Sequence, residues 1–109
     1  MPLEMSASTE GKTARLNLSG ELDGASAASV RDAVDKALQS RPERLVLAVE
    51  NLTFMASAGL RILIFAKQKQ PDLKIYIVKP QEAIVDTLQK TGFYQSVYIV
   101  DRETEELKG

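Results

Sequence analysis

A short apolar run followed by a turn of small residues constrains this chain more than any other feature. Leu45–Val49 reads Leu-Val-Leu-Ala-Val, which is the length and type of a strand buried on both faces of a sheet. The apolar segment Leu60–Ala66 is too long for another strand and favours a helix. Between them lies Ala56-Ser57-Ala58-Gly59. A buried strand that feeds a helix through such a turn places Ser57 beside backbone N–H groups without partners.

Hydrophobic periodicity predicts strands that alternate with helices. Apolar and polar residues alternate over Leu3–Ser8 and Thr13–Ser19, which indicates a β-hairpin at the start of the chain. Helical spacing begins at Ala25, and either Asp23 or Ser26 is placed to cap that helix. Further along, the pattern predicts a strand at Lys74–Val78, a helix at Gln81–Lys90, a strand at Val97–Val100 and a charged tail, Asp101–Gly109, that either frays or forms a short helix.

This order of elements predicts an α/β fold in one domain over residues 1–109. A chain of 109 residues has the common size of a single domain. Strands that alternate with helices imply a mostly parallel sheet with right-handed crossovers. We therefore expect an N-terminal hairpin strand beside the parallel strands, and about four helices packed on the sheet.

The second helix carries more apolar residues than one buried stripe requires. Leu60, Leu63 and Ile64 define the face that we expect to cover the sheet. The surplus implies either a crowded core or an exposed apolar patch beside the turn. We assign Phe65 to the core and leave Ile62 open.

Composition excludes several classes of function. The chain has no cysteine and no histidine, which removes thiolate chemistry, the commonest metal ligand and the commonest general base. Its 14 basic and 15 acidic residues nearly cancel, so we expect no direct binding of nucleic acid. No apolar run approaches the length of a membrane helix, no secretory signal is evident and no glycine-rich phosphate loop is present. A cytoplasmic domain without cofactor, metal site or enzyme activity is expected.

Two interpretations of Ser57 follow from its position. The turn is similar to a Gly-x-Ser-x-Gly nucleophile elbow, but Met55 stands in place of the first glycine, and no histidine is available to activate the hydroxyl. Ser57 is therefore either the cap of the second helix or a phosphoacceptor. Arg61, four residues further on, is either a solvated surface arginine or a ligand for that phosphate.

Three short motifs carry a family resemblance. Gly20-Glu21-Leu22-Asp23 follows the predicted second strand, the segment Leu52–Leu60 surrounds Ser57, and Thr91-Gly92-Phe93 precedes the last strand. With these motifs the chain resembles the STAS domain of bacterial anti-sigma factor antagonists over nearly its whole length. The central segment matches that family's signature around a phosphorylated serine.

The resemblance implies a protein-binding module in a partner-switching circuit. The unphosphorylated form would bind an anti-sigma factor that is also a serine kinase, and thereby release a sigma factor. Phosphorylation of Ser57 would end that interaction, and a serine phosphatase would restore it. The partner-binding residues expected around Ser57 are Asp23, Ala56, Ala58, Gly59, Arg61 and Ile62.

The chain departs from the family pattern beside the serine. Many members have aspartate immediately before it and a second serine after it, whereas this chain has Ala56 and Ala58. The departure at Ala56 implies slower phosphorylation or a different kinase. It also motivates an alternative, in which the domain is a constitutive scaffold or a subunit of a lipid-type ABC transport complex that phosphorylation does not regulate.

Overall fold

A five-stranded sheet with α-helices packed against it makes up the residues that the computed structural model describes, 2–101. The strands are β1 (Glu4–Glu10), β2 (Thr13–Leu22), β3 (Arg44–Met55), β4 (Lys74–Val78) and β5 (Tyr98–Val100). The helices are α1 (Gly24–Leu38), α2 (Ser57–Lys69) and α3 (Glu82–Lys90), followed by a 3-10 helix at Phe93–Ser96. The elements follow the predicted order. The prediction for the charged tail falls on residues 102–109, which lie outside the described residues.

The strand order is β1-β2-β3-β4-β5, and the four strands β2 to β5 are parallel to one another. β1 pairs antiparallel with β2 through a tight turn in which Gly11 has a φ of 59°. The positive φ explains why a glycine occupies this turn. The predicted parallel sheet with an N-terminal hairpin strand is thus confirmed. The parallel strands β2 to β5 all end at one edge of the sheet, which we call the carboxyl edge.

The main core lies between one face of the sheet and the three α-helices. Leu45, Leu47 and Val49 of β3 belong to it, together with buried residues of all three helices. Val46 points to the other face, where it forms a second small cluster with Val78. Since Val46 is also fully buried, β3 is buried on both faces at its start, as the run of apolar residues predicts.

β3 continues six residues beyond the predicted end at Val49, as far as Met55. The added segment is held by pairing with the end of β2, where Gly20 lies opposite Leu52 and Leu22 lies opposite Met55. Polar residues in this segment interrupt the apolar run, so the sequence pattern does not indicate that the strand continues. The pairing carries β3 directly into the turn that contains Ser57.

The buried face of α2 is rotated relative to the prediction. The buried residues are Gly59, Leu60, Ile62, Leu63 and Ala66. The prediction that Ile64 faces the core is wrong, because its side chain is 42% exposed. The assignment of Phe65 to the core is also wrong, since Phe65 is half-buried and lies outside the core cluster, whereas Ile62, whose place the sequence leaves open, is buried. The small residues Gly59 and Ala66 bring the helix backbone close to the sheet, and this contact decides which face turns inward.

Candidate functional site

Paired strand ends bring two turns together at the carboxyl edge. Leu22 and Met55 are the last residues of β2 and β3 and lie opposite each other. The backbone N–H of Ala56 donates to the carbonyl of Leu22 over 2.8 Å. Asp23 and the Ser57 turn therefore begin side by side, although they are more than thirty residues apart in the chain.

Asp23 caps α1 through a reciprocal pair of hydrogen bonds with Ser26. The Asp23 carboxylate accepts from the backbone N–H of Ser26 over 2.9 Å, and the Asp23 N–H donates to the Ser26 hydroxyl over 3.0 Å. Both predicted cap candidates thus belong to one capping box. The Ser26 backbone N–H and then its hydroxyl hold the pKa of Asp23 below its usual range, because these donors stabilise the carboxylate. The side chain nevertheless remains exposed.

The N-cap of α2 is Ala56 rather than Ser57. Ala56 has extended backbone angles, with φ of −75° and ψ of 168°, and no side chain caps the helix. Of the two interpretations of Ser57, the one that makes it the cap of α2 is therefore wrong. The hydrogen bond from Ala56 to Leu22 holds Ala56 in line with β3, and the helix begins at the next residue, Ser57.

Ser57 is an exposed first residue of α2 beside unpaired backbone donors. The N–H of Gly59 donates to the carbonyl of Ala56 over 2.9 Å. Within residues 2–101, the N–H groups of Ser57 and Ala58 have no protein acceptor, as expected at the start of a helix without a side-chain cap. An anion at the Ser57 side chain would meet these donors and the positive end of the helix dipole.

The expected partner-binding residues divide into an exposed group and a buried group. Asp23, Ser57 and Arg61 are exposed, whereas Gly59 and Ile62 are buried. Gly59 faces the core, where a side-chain carbon built on it would stand 2.6 Å from Met55 Cγ. The buried residues therefore position the helix behind the surface on which Ser57 and Arg61 lie. Ala56 and Ala58 are half-buried at the margin of that surface.

A groove between α1 and α2 extends this surface and was not anticipated from the sequence. Its volume is about 480 Å³, and its lining includes Ala28, Arg31, Ala58, Arg61, Ile64 and Phe65. The Arg31 guanidinium lies over the Phe65 ring, 4.6 Å from the ring centroid. The signal in the sequence is the spacing of Ser57, Arg61 and Phe65, which repeats every four residues along one helix face.

Two further observations concern the described part of the chain. Among residues 2–101, no three acidic side chains are grouped so that they could hold a metal ion. No helix in the same range is both long and apolar enough to cross a lipid bilayer.

The chain belongs to the STAS domain family, whose model matches residues 4–106. A relative from Paenibacillus polymyxa, named anti-sigma F factor antagonist, is 33% identical over 97 residues, which are 84% of this chain and 81% of that protein. The predicted family is thereby confirmed.

Solved structures share the fold at lower identity. An anti-sigma factor antagonist from Mycobacterium paratuberculosis has a TM-score of 0.82 and 20% identity, over 93% of this chain and 87% of that one. The Bacillus cell fate determinant SpoIIAA in its phosphorylated form has a TM-score of 0.70 and 19% identity, over 94% of each chain. These likenesses support the α/β architecture with its parallel sheet.

Proposed function

We propose that this chain is an anti-sigma factor antagonist that phosphorylation of Ser57 switches off. In its unphosphorylated form it binds an anti-sigma factor that is also a serine kinase, and the sigma factor is released. A serine phosphatase returns the modified chain to the binding form. The observation that carries the proposal is the exposed position of Ser57 at the start of α2, next to the Asp23 turn, in a chain whose relative is named for antagonism of an anti-sigma factor.

The local chemistry at Ser57 favours a phosphate. The unpaired N–H groups of Ser57 and Ala58 and the helix dipole would stabilise the negative charge without disturbing the fold. A phosphate adds nearly two negative charges to the surface at neutral pH. The modification therefore acts on a partner that approaches this surface, and the domain itself stays folded.

The chain is the substrate of the phosphoryl transfer and supplies no catalytic group. With neither histidine nor cysteine, it lacks the commonest general base and nucleophile. In this proposal the kinase contributes Mg²⁺, ATP and the base that accepts the hydroxyl proton. The Ser57 oxygen forms the new bond to the γ-phosphorus, and ADP leaves.

The test is phosphorylation of the purified chain by its cognate anti-sigma factor kinase, followed by intact-mass measurement. We expect the addition of one phosphate, its loss in Ser57→Ala and its retention in Ser40→Ala, which alters an exposed serine on another turn. An unmodified wild-type chain, or a phosphate that persists in Ser57→Ala, would contradict the proposal.

Ala56 supports a second candidate function. Ala56 stands where the family pattern often has an aspartate beside the serine, and α2 has no side-chain cap there. A constitutive scaffold or a subunit of a lipid-type ABC transport complex needs no such residue. Recovery of a permease or ATPase with the tagged chain, at a yield that Ser57→Glu leaves unchanged, would favour this function.

A further inference from the structure

The groove between α1 and α2 has cationic walls around an apolar floor. None of its lining residues is acidic, whereas Arg31 and Arg61 stand on opposite helices. Ile62 and Ile64 both line its floor, where Ile62 is buried and Ile64 is 42% exposed. A groove of this kind matches an apolar side chain that is flanked by carboxylates.

The cationic side chains in and near the groove differ in the contacts that they already make within the domain. Arg31 is stacked on Phe65, and Lys69 also faces that ring at 5.6 Å from its centroid. Lys69 pairs with Asp35 of α1, which bridges the two helices beyond the groove. By contrast, the Arg61 side chain makes no hydrogen bond or ion pair with any other residue in the range 2–101. Arg61 is thus the cation at the Ser57 end that is available to an incoming carboxylate.

We propose that this groove binds an acidic, apolar segment of the anti-sigma factor, and that a carboxylate of that segment competes with the phosphate of Ser57 for Arg61. The inference rests on the proposed function. Ser57 and Arg61 lie one helical turn apart on the same exposed face, within reach of a charge-assisted hydrogen bond. In this proposal, phosphorylation adds negative charge at Ser57, and the phosphate also binds Arg61, which is then no longer available to the partner's carboxylate.

Small residues make the groove accessible near Ser57. Ala28 of α1 and Ala58 of α2 line that end, where larger side chains would fill the space. An apolar partner side chain can therefore reach Ile64 and Phe65 while its flanking carboxylate meets Arg61. The geometry predicts a binding energy that depends on both the apolar floor and the arginine.

The test is a binding cycle with the purified cognate anti-sigma factor, using wild type and Arg61→Gln, each with and without phosphate on Ser57. We expect Arg61→Gln to weaken binding about tenfold or more, since it removes one member of a close charge pair. If the partner carboxylate and the Ser57 phosphate compete for Arg61, phosphorylation should weaken binding less in Arg61→Gln than in wild type. We expect the factor of weakening to be about ten times smaller in the variant. Arg41→Gln, at an exposed arginine before β3, is the matched control and should bind like wild type.

The outcomes separate this inference from the function on which it rests. Failure of the wild-type chain to bind any anti-sigma factor contradicts the proposed function. Normal binding by Arg61→Gln, or an equal effect of phosphate in both backgrounds, overturns the role of Arg61 while leaving the function intact. Ile64→Ser tests the apolar floor, and we expect weaker binding with an unchanged thermal midpoint. A dimer of the chain alone that Ile64→Ser dissociates would assign the groove to a second copy and overturn the inference.

Discussion

Gly59 lies so close to Met55 that a side-chain carbon on Gly59 would stand 2.6 Å from Met55 Cγ and 3.0 Å from a methyl group of Leu22. The contact joins the first turn of α2 to the ends of β2 and β3. It places Ser57 on the exposed side of that turn, because Gly59 occupies the side facing the core. The candidate site thus depends on a residue that contributes no chemistry.

Gly59→Ala should destabilise the domain. Alanine is ordinarily the better helix former, by about 1 kcal/mol, but here its methyl group overlaps the Met55 side chain, so we expect a net loss of about 1–3 kcal/mol. Gly24→Ala is the matched control, since nothing lies within 4 Å of its new carbon. That variant should gain up to about 1 kcal/mol. Urea unfolding of both variants gives the comparison, and a stabilised Gly59→Ala would refute the close contact.

Ala56→Asp should stabilise the domain by supplying the cap that α2 lacks. Ala56 already has the extended backbone of an N-cap, so that a carboxylate there can accept from the free N–H groups of the first turn. We expect about 1 kcal/mol and a rise in Tm of about 4 °C or more. Ala56→Asn separates the hydrogen bond from the charge. Thermal melting that shows no gain in either variant would contradict an uncapped helix.

The stability of the domain should fall in acid through Asp23. Because the capping box lowers the folded-state pKa of Asp23, this carboxylate contributes stability above its unfolded pKa of about 4 and loses it as the pH falls through the lower, folded-state value. Asp23→Asn keeps an oxygen acceptor that does not titrate, so its unfolding free energy should vary less with pH. Urea midpoints of the two proteins from neutral pH down to about pH 3 provide the measurement. Parallel curves would exclude the contribution of Asp23.

The order of strands and helices along the chain could be predicted from the sequence, because the spacing of apolar residues directly reflects which side chains are buried. β4 is the clearest case, since Lys74–Val78 has the predicted bounds. The end of β3 could not be predicted in this way. Its last six residues are held by pairing with β2, and such tertiary pairing leaves no period in the chain itself.

The sequence predicted where Ser57 lies along the chain, at a strand-to-helix turn, but not which residue caps α2 or which residues of α2 are exposed. Placing Ser57 at a strand-to-helix turn required only the buried strand and the small residues after it. Assigning the cap required the bond from Ala56 to Leu22, which no local pattern encodes. The exposure of Ile64 depends on Gly59 and Ala66 as helix–sheet contacts, and small residues carry little weight in a hydrophobic pattern. The role of the groove residues toward a partner stays a prediction.

The parallel arrangement of β2 to β5 has a practical consequence for measuring these interactions. All turns that enter these strands lie at the edge opposite Ser57, and there the Glu43 N–H donates to the Lys12 carbonyl over 2.8 Å. Ser40 is exposed in the same region, before β3. Since the chain has no cysteine, Ser40→Cys would create a single thiol for a fluorophore or a surface tether. Such an attachment would leave the carboxyl edge unobstructed for binding kinetics.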